Sequence, residues 1–173
     1  MNLIEKFKLI STFILDVDGV LTDGTIYVFD NGEQVRRMSI KDGFALQLAI
    51  KKGYRILVIS GGNSPAVSAR LKKLGITDIL MNVLDKKSMI DRYMRDHGIE
   101  KHQVLFMGDD IPDYVAMKHV GIPAAPADAA PEIRKIAAYI ADNKGGKGCV
   151  REVIEKVLRL HGQWEMETDI ASR

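Results

Sequence analysis

Five short runs of β-branched and apolar residues alternate with stretches of helical periodicity, and this alternation restricts the fold more than any other feature. The runs fall at 12–16, 54–60, 78–80, 104–108 and 122–125, and helices are predicted over 43–52, 65–74, 86–97, 112–119 and 131–138. Strands joined through helices run parallel, so the pattern predicts an α/β fold around a mainly parallel sheet. Pro65 behind Asn63 and Ser64 marks a helix start, because proline suits the first helical position. A last helix over 150–161 closes a single domain at 1–161, and the polar stretch 162–173 reads as a mobile tail.

One segment breaks the alternation. Two β-like runs, 25–29 and 34–40, flank Asp30-Asn31-Gly32-Glu33. Asn-Gly between such runs signals a hairpin, since both residues tolerate positive φ. A hairpin over about 25–40 that projects from one domain exposes edges and apolar side chains, and self-association would cover them.

The acidic residues fall at strand ends. The run at 12–15 leads into Asp16-Val17-Asp18-Gly19, two carboxylates on the same side of a strand followed by a residue free to turn. Open α/β sheets bind ligands at that edge. A lone aspartate there would merely end a strand, but the run at 104–107 repeats the pattern with Gly108-Asp109-Asp110-Ile111-Pro112-Asp113. Carboxylates so crowded repel one another unless a cation neutralises them, and hard oxygen ligands suit Mg²⁺. Ser60-Gly61-Gly62, before a helix, offers donors for a phosphate oxygen, although such a loop alone is more often only a turn. Lys86 opens the helix after the third strand, where a lysine is ordinarily a solvated surface charge.

The composition is that of an ordinary soluble domain. Of the 173 residues 46% are apolar and 28% charged, and the formal charge of +2 is spread rather than massed, which argues against nucleic acid. Cys149 is the sole cysteine, so no intrachain disulfide can form, and a reducing, cytoplasmic setting is expected. The first residues lack the pattern of a signal peptide, and no apolar stretch approaches the roughly 20 residues that span a bilayer, so no membrane role is expected. The four histidines show no metal-ligand spacing.

DVDGVLTDG, VISGG, Lys86 and GDDIPD, in that order, resemble the four motifs of the haloacid dehalogenase superfamily over about residues 12–113. The resemblance implies a Rossmann-like three-layer sandwich and hydrolysis of phosphomonoesters. It makes Asp16 the nucleophile, Asp18 the general acid/base, Ser60 and Gly61 phosphate contacts, and Lys86 a bridge between Asp16 and phosphate. Mg²⁺ would be held by Asp16, Asp109 and the backbone carbonyl of Asp18, with Asp110 and Asp113 supporting. About 25 residues separate the first motif from the next helix, too few for a cap domain.

Short, capless and hairpin-bearing, the chain resembles the 3-deoxy-D-manno-octulosonate 8-phosphate phosphatases nearly end to end. Asp23-Gly24, Lys41-Asp42-Gly43, Arg70, Leu74-Gly75-Ile76, the run Gly145-Gly146-Lys147-Gly148 and Arg151-Glu152 carry the likeness. It implies a homotetramer built through hairpins, a sugar-acid phosphate substrate and a place in lipopolysaccharide precursor synthesis. Arg70 is the candidate for the substrate carboxylate, with Lys147 and a neighbour's Thr25 as further contacts. The chain departs from the pattern at Gly61-Gly62-Asn63 and at Met81-Asn82. A sister group acting on nonulosonate 9-phosphates carries a glutamate at the position of Gly62 and a lysine at that of Lys73, so both substrates stay open. A catalytically idle regulatory subunit is a reading from another class, which the intact motifs oppose, as is a phosphotransferase.

Overall fold

A computed structural model describes residues 1–171. Six parallel strands form one sheet in the order β5-β4-β1-β6-β7-β8. They are β1 (Thr12–Leu15), β4 (Arg55–Ile59), β5 (Asp78–Leu80), β6 (Val104–Met107), β7 (Ile122–Ala125) and β8 (Tyr139–Ile140). Successive side chains in β1 serve opposite faces, which is why every residue of this strand is apolar or buried. Phe13 and Leu15 join the core beneath α2 (Ile40–Lys51), α3 (Pro65–Lys73) and α7 (Cys149–Leu160). Ile14 joins the other core, beneath α4 (Lys86–His97), α5 (Tyr114–Met117) and α6 (Pro131–Ile136). The result is a three-layer sandwich, as the resemblance implies, around the mainly parallel sheet that the alternation predicts. Burying each large side chain of these cores, Phe106 or Leu57 for example, stabilises the fold by about 1.5–3 kcal/mol.

Register positions the site. Leu15 lies level with Val58 on one side and Met107 on the other, so Asp16, Ser60 and Asp109 all emerge at one edge. The Asp16 amide still donates to Met107 O at 3.1 Å, which ties the turn to the end of β6.

The hairpin is longer at its base than predicted. β2 (Thr22–Val28) pairs antiparallel with β3 (Gln34–Met38), Ile26 opposite Arg36. At the hairpin tip Gly32 takes positive φ (+83°), whereas Asn31 does not and accepts from the Glu33 amide through its side chain. Helix bounds shift where caps decide them: α2 starts at Ile40 because Ser39 Oγ accepts from Asp42 N. The helix predicted over 112–119 is one tight turn at Ile111–Asp113 followed by α5. Two elements are additional, α1 (Leu3–Phe7), held by an Asn2/Glu5 capping box, and β8. No further domain is inserted among the described residues, and no described helix is long and apolar enough to cross a membrane.

Residues 162–171 lie along α2, whereas the sequence pattern leaves 162–173 as a mobile tail; 172–173 fall outside the described residues. Trp164 meets Phe44 edge-on at 6.1 Å and Arg151 at 5.4 Å, while Lys51 and Lys52 pair with Glu165, Glu167 and Asp169. Exposed ion pairs of this kind add little and are screened by salt, so the indole is the firmer anchor. Trp164 is the only tryptophan. Its emission should be blue-shifted in native buffer and move to the red on unfolding; an emission maximum that does not move would mean an undocked segment.

Candidate active site

Glycine makes the turn after β1 possible. Asp18 is extended and Gly19 takes φ +87°, a region L side chains rarely adopt. A Cβ on Gly19 would stand 1.9 Å from Asp109 Oδ2, so only glycine lets the ends of β1 and β6 approach this closely. Gly108 is similarly constrained, since its Cβ would meet the Asp113 side chain at 2.6 Å.

The two strand ends bring carboxylate oxygens of Asp16, Asp109 and Asp113 within 4.8 Å of one another. Into this cluster α4 delivers Lys86, its Nζ 2.8 Å from Asp16 Oδ1 and 2.6 Å from Asp113 Oδ1. All three of these residues are buried. Burial pulls the Lys86 pKa down, but Asp16 and Asp113 outweigh it and raise the value above the ordinary one, so the ammonium stays charged. Burial raises Asp16, Asp113 adds to the rise, and Lys86 opposes it. Asp109 is pushed up to about 8, by burial first and then by Asp16, Asp113 and Asp110.

That set fits a hard divalent cation. Asp113 is already engaged at both oxygens, Oδ1 by Lys86 and Oδ2 by the amides of Asp109 (3.0 Å) and Asp110 (3.4 Å). Asp16 and Asp109 are the carboxylates with capacity left for a metal. Asp110 is exposed and spends Oδ1 on the Ile111 amide at 2.8 Å.

The end of β4 supplies the opposite wall. Ser60 is buried, and its Oγ accepts from Gly62 N at 3.1 Å. The chain after β5 brackets this loop: Asn82, at φ +56°, donates its amide to Gly62 O, and Val83 donates to Ser60 O. A Cβ on Gly62 would sit 3.4 Å from Asp18 Oδ2 and 3.6 Å from Ser60 Oγ, so the first and second acidic-edge turns face each other across that glycine. Gly61 is exposed in the same loop.

The remaining predicted contacts are not gathered here. Arg70 lines an adjoining cavity of about 320 Å³ between the hairpin and α3, with Nη2 3.5 Å from Ser39 O. Thr25 is exposed and donates its hydroxyl to Asp23 Oδ1 at 2.6 Å. Lys147 is exposed on a separate groove between α1 and α7. One contributor, Arg36, lies outside the predicted set. Arg36 reaches back from β3 to Asp18, and strand alternation, which sends Arg36 and Arg37 to opposite faces, was the only hint. The Gly145–Gly146 loop lies directly on the first turn, where a Cβ on Gly145 would meet Gly19 O at 1.9 Å.

A family model for haloacid dehalogenase-like hydrolases matches residues 72–154. The 3-deoxy-D-manno-octulosonate 8-phosphate phosphatase of Escherichia coli strain K12 is 34% identical over 162 residues, covering 94% of this chain and 86% of the relative. The chain belongs to this phosphatase family. The crystal structure of the Yersinia pestis phosphatase of that name superposes with a TM-score of 0.90 at 32% identity, covering 92% of this chain and 86% of that one. The Moraxella catarrhalis phosphatase, solved with magnesium, phosphate and KDO, gives 0.88 at 33% identity, covering 91% and 90%. A magnesium ion in this relative accords with the acidic cluster described above.

A carboxyl with a raised native pKa holds its proton more tightly folded than unfolded. Metal-free stability should therefore fall as pH rises from the ordinary carboxylate value of 3.8 towards about 8. Added Mg²⁺ should reverse that loss, raising stability by about 2.7 kcal/mol at a hundredfold excess over its Kd. Calorimetry with Mg²⁺ or EDTA checks this, and Asp109→Asn should remove most of the metal-induced rise.

Proposed function

We propose that this chain is a Mg²⁺-dependent phosphatase that removes the phosphate of 3-deoxy-D-manno-octulosonate 8-phosphate through an aspartyl-phosphate on Asp16. The observation that carries the reading is the buried Asp16–Lys86 pair, 2.8 Å apart at the strand edge, with Asp109 beside it. Asp16, Asp109 and the backbone carbonyl of Asp18 would hold Mg²⁺, which when bound keeps the carboxylates ionised and neutralises charge on the phosphoryl oxygens.

The protein groups divide the rest. An Asp16 oxygen attacks phosphorus and the ester P–O bond breaks, while Lys86 stays protonated and balances charge on Asp16 and on the transferring group. Asp18 gives its proton to the departing alkoxide. It then takes a proton from the water that attacks the aspartyl-phosphate, and cleavage of the bond to Asp16 releases phosphate and restores the nucleophile. Ser60 Oγ and the amides of its loop are placed to hold a phosphoryl oxygen. Arg70, in the adjoining cavity, is suited to the substrate carboxylate, because a guanidinium can grip it with two hydrogen bonds.

Phosphate release with and without Mg²⁺, across the octulosonate 8-phosphate, a nonulosonate 9-phosphate and hexose phosphates, tests the reading. A Mg²⁺-dependent preference for the octulosonate ester is expected, and Asp16→Asn should abolish turnover without unfolding the protein. Preference for the nine-carbon ester would move the substrate and keep the chemistry. No release from any ester would favour an idle subunit.

The same reading includes a homotetramer and a cytoplasmic setting. The hairpin exposes Ile26, Tyr27, Val28, Phe29 and Val35, Val28 at 66%, which supports its burial against other copies. The lone, buried Cys149 is compatible with a reducing compartment. Solution scattering at micromolar concentration should give about four chains per particle, and a monomer would count against hairpin-driven assembly.

A further inference from the structure

Arg36 belongs to none of the motifs that suggest the chemistry, yet among the described residues its side chain is the one that bonds the Asp18 carboxylate. Its Nε lies 2.7 Å from Asp18 Oδ1 and its Nη2 3.4 Å from Oδ2. The side chain comes from β3, on the hairpin, and is only 7% exposed, whereas Asp18 is 41% exposed. An ordinary surface pair would leave the guanidinium in water. Here it is drawn under cover, and its Nη1 is buried with no hydrogen-bond partner, so one donor is given up to hold this pose. Gly62 borders the space it occupies: a Cβ there would stand in ordinary contact, 3.5 Å from Nη2, and a longer side chain would compete for the volume.

The pairing is unequal, and the inequality matters for proton transfer. Oδ1 is held at a charge-assisted hydrogen-bond distance, while Oδ2 is touched only at the long limit. Oδ2 is also the Asp18 oxygen beside the Gly62 loop, on the side where Ser60 faces it.

We propose that Arg36 is a positioning residue: it fixes Asp18 through Oδ1 and leaves Oδ2 as the oxygen that exchanges the proton with the leaving group and then with water. The proposal rests on the phosphatase reading and on Asp18 as its acid/base. It makes the hairpin a working part of the site within a single chain, apart from any role in assembly.

An ester whose leaving group needs no proton separates this role from a structural one. Arg36→Met and Arg36→Lys would be assayed, in Mg²⁺, with 3-deoxy-D-manno-octulosonate 8-phosphate and with p-nitrophenyl phosphate. Positioned proton donors contribute roughly 10²–10⁴-fold, so Arg36→Met should lower kcat/KM for the sugar ester by about 10- to 100-fold and for the nitrophenyl ester by less than about 3-fold. Arg36→Lys keeps the charge but not the two-donor edge and should recover part of the loss. In an Asp18→Asn background, Arg36→Met should add no further loss. Equal losses on both esters, or a further loss in that background, would overturn the proposal. A rise in KM alone, with kcat intact, would make Arg36 a substrate contact instead and would equally overturn it. Wild-type turnover of the two esters in the same assay judges the phosphatase reading separately, whichever way the Arg36 variants fall.

Discussion

A single buried ammonium makes the strand edge tenable. Asp16, Asp109 and Asp113 converge within 4.8 Å, and Lys86 is the cation that touches two of them. Three carboxylates against one ammonium leave two negative charges if all ionise, and burial makes that excess unfavourable. The protein meets it by raising the proton affinity of Asp16 and Asp109 while Asp113 is tied up by Lys86 and two amides. A divalent cation balances the same excess. Charge balance thus explains why the cluster suits a divalent metal and why Asp16 lies beside a lysine.

The cluster can be this tight only where side chains are missing. Gly19 and Gly108 let the ends of β1 and β6 meet, and Gly145 lets the segment before α7 lie on the first turn. Behind that segment, buried Asp42 accepts from the Arg151 amide at 2.7 Å, which fixes the start of α7 to α2. Burial pushes Asp42 up to about 6, with the amides of Arg151 and Gly148 opposing the rise. The catalytic edge is therefore supported from the sheet by glycine contacts and from the helical layer by a buried cap.

Much of this was legible in the sequence because it is local. Apolar runs ending in aspartate declare both a buried strand and what stands at its end, so the places of Asp16 and Asp109 on a mainly parallel sheet can be read directly. Lys86 was legible for a similar reason, since it opens the helix after a short strand. What escaped depends on how distant segments fold back. Arg36 looks like one of two adjacent solvated arginines until the hairpin bends over Asp18. Within one chain Thr25 is engaged by Asp23 and Lys147 lines the groove between α1 and α7, so neither joins the Asp16 cluster by local sequence alone. The tail is polar in composition, but a lone indole among charges is enough to seat it on α2.

The glycine contact at 145 also bears on the order in which the protein can become active during synthesis. The turn carrying Asp16 and Asp18 leaves the ribosome before residues 145–146 are made, as does the strand pair that supplies Arg36. The backbone that closes over Gly19 follows far downstream, and Gly146 N donates to Val20 O only once it has arrived. A nascent chain therefore carries these carboxylates through all the intervening synthesis without the clasp that sets their turn. The turn after the first strand thus waits on a segment far downstream, just ahead of α7, before its own backbone contacts are complete.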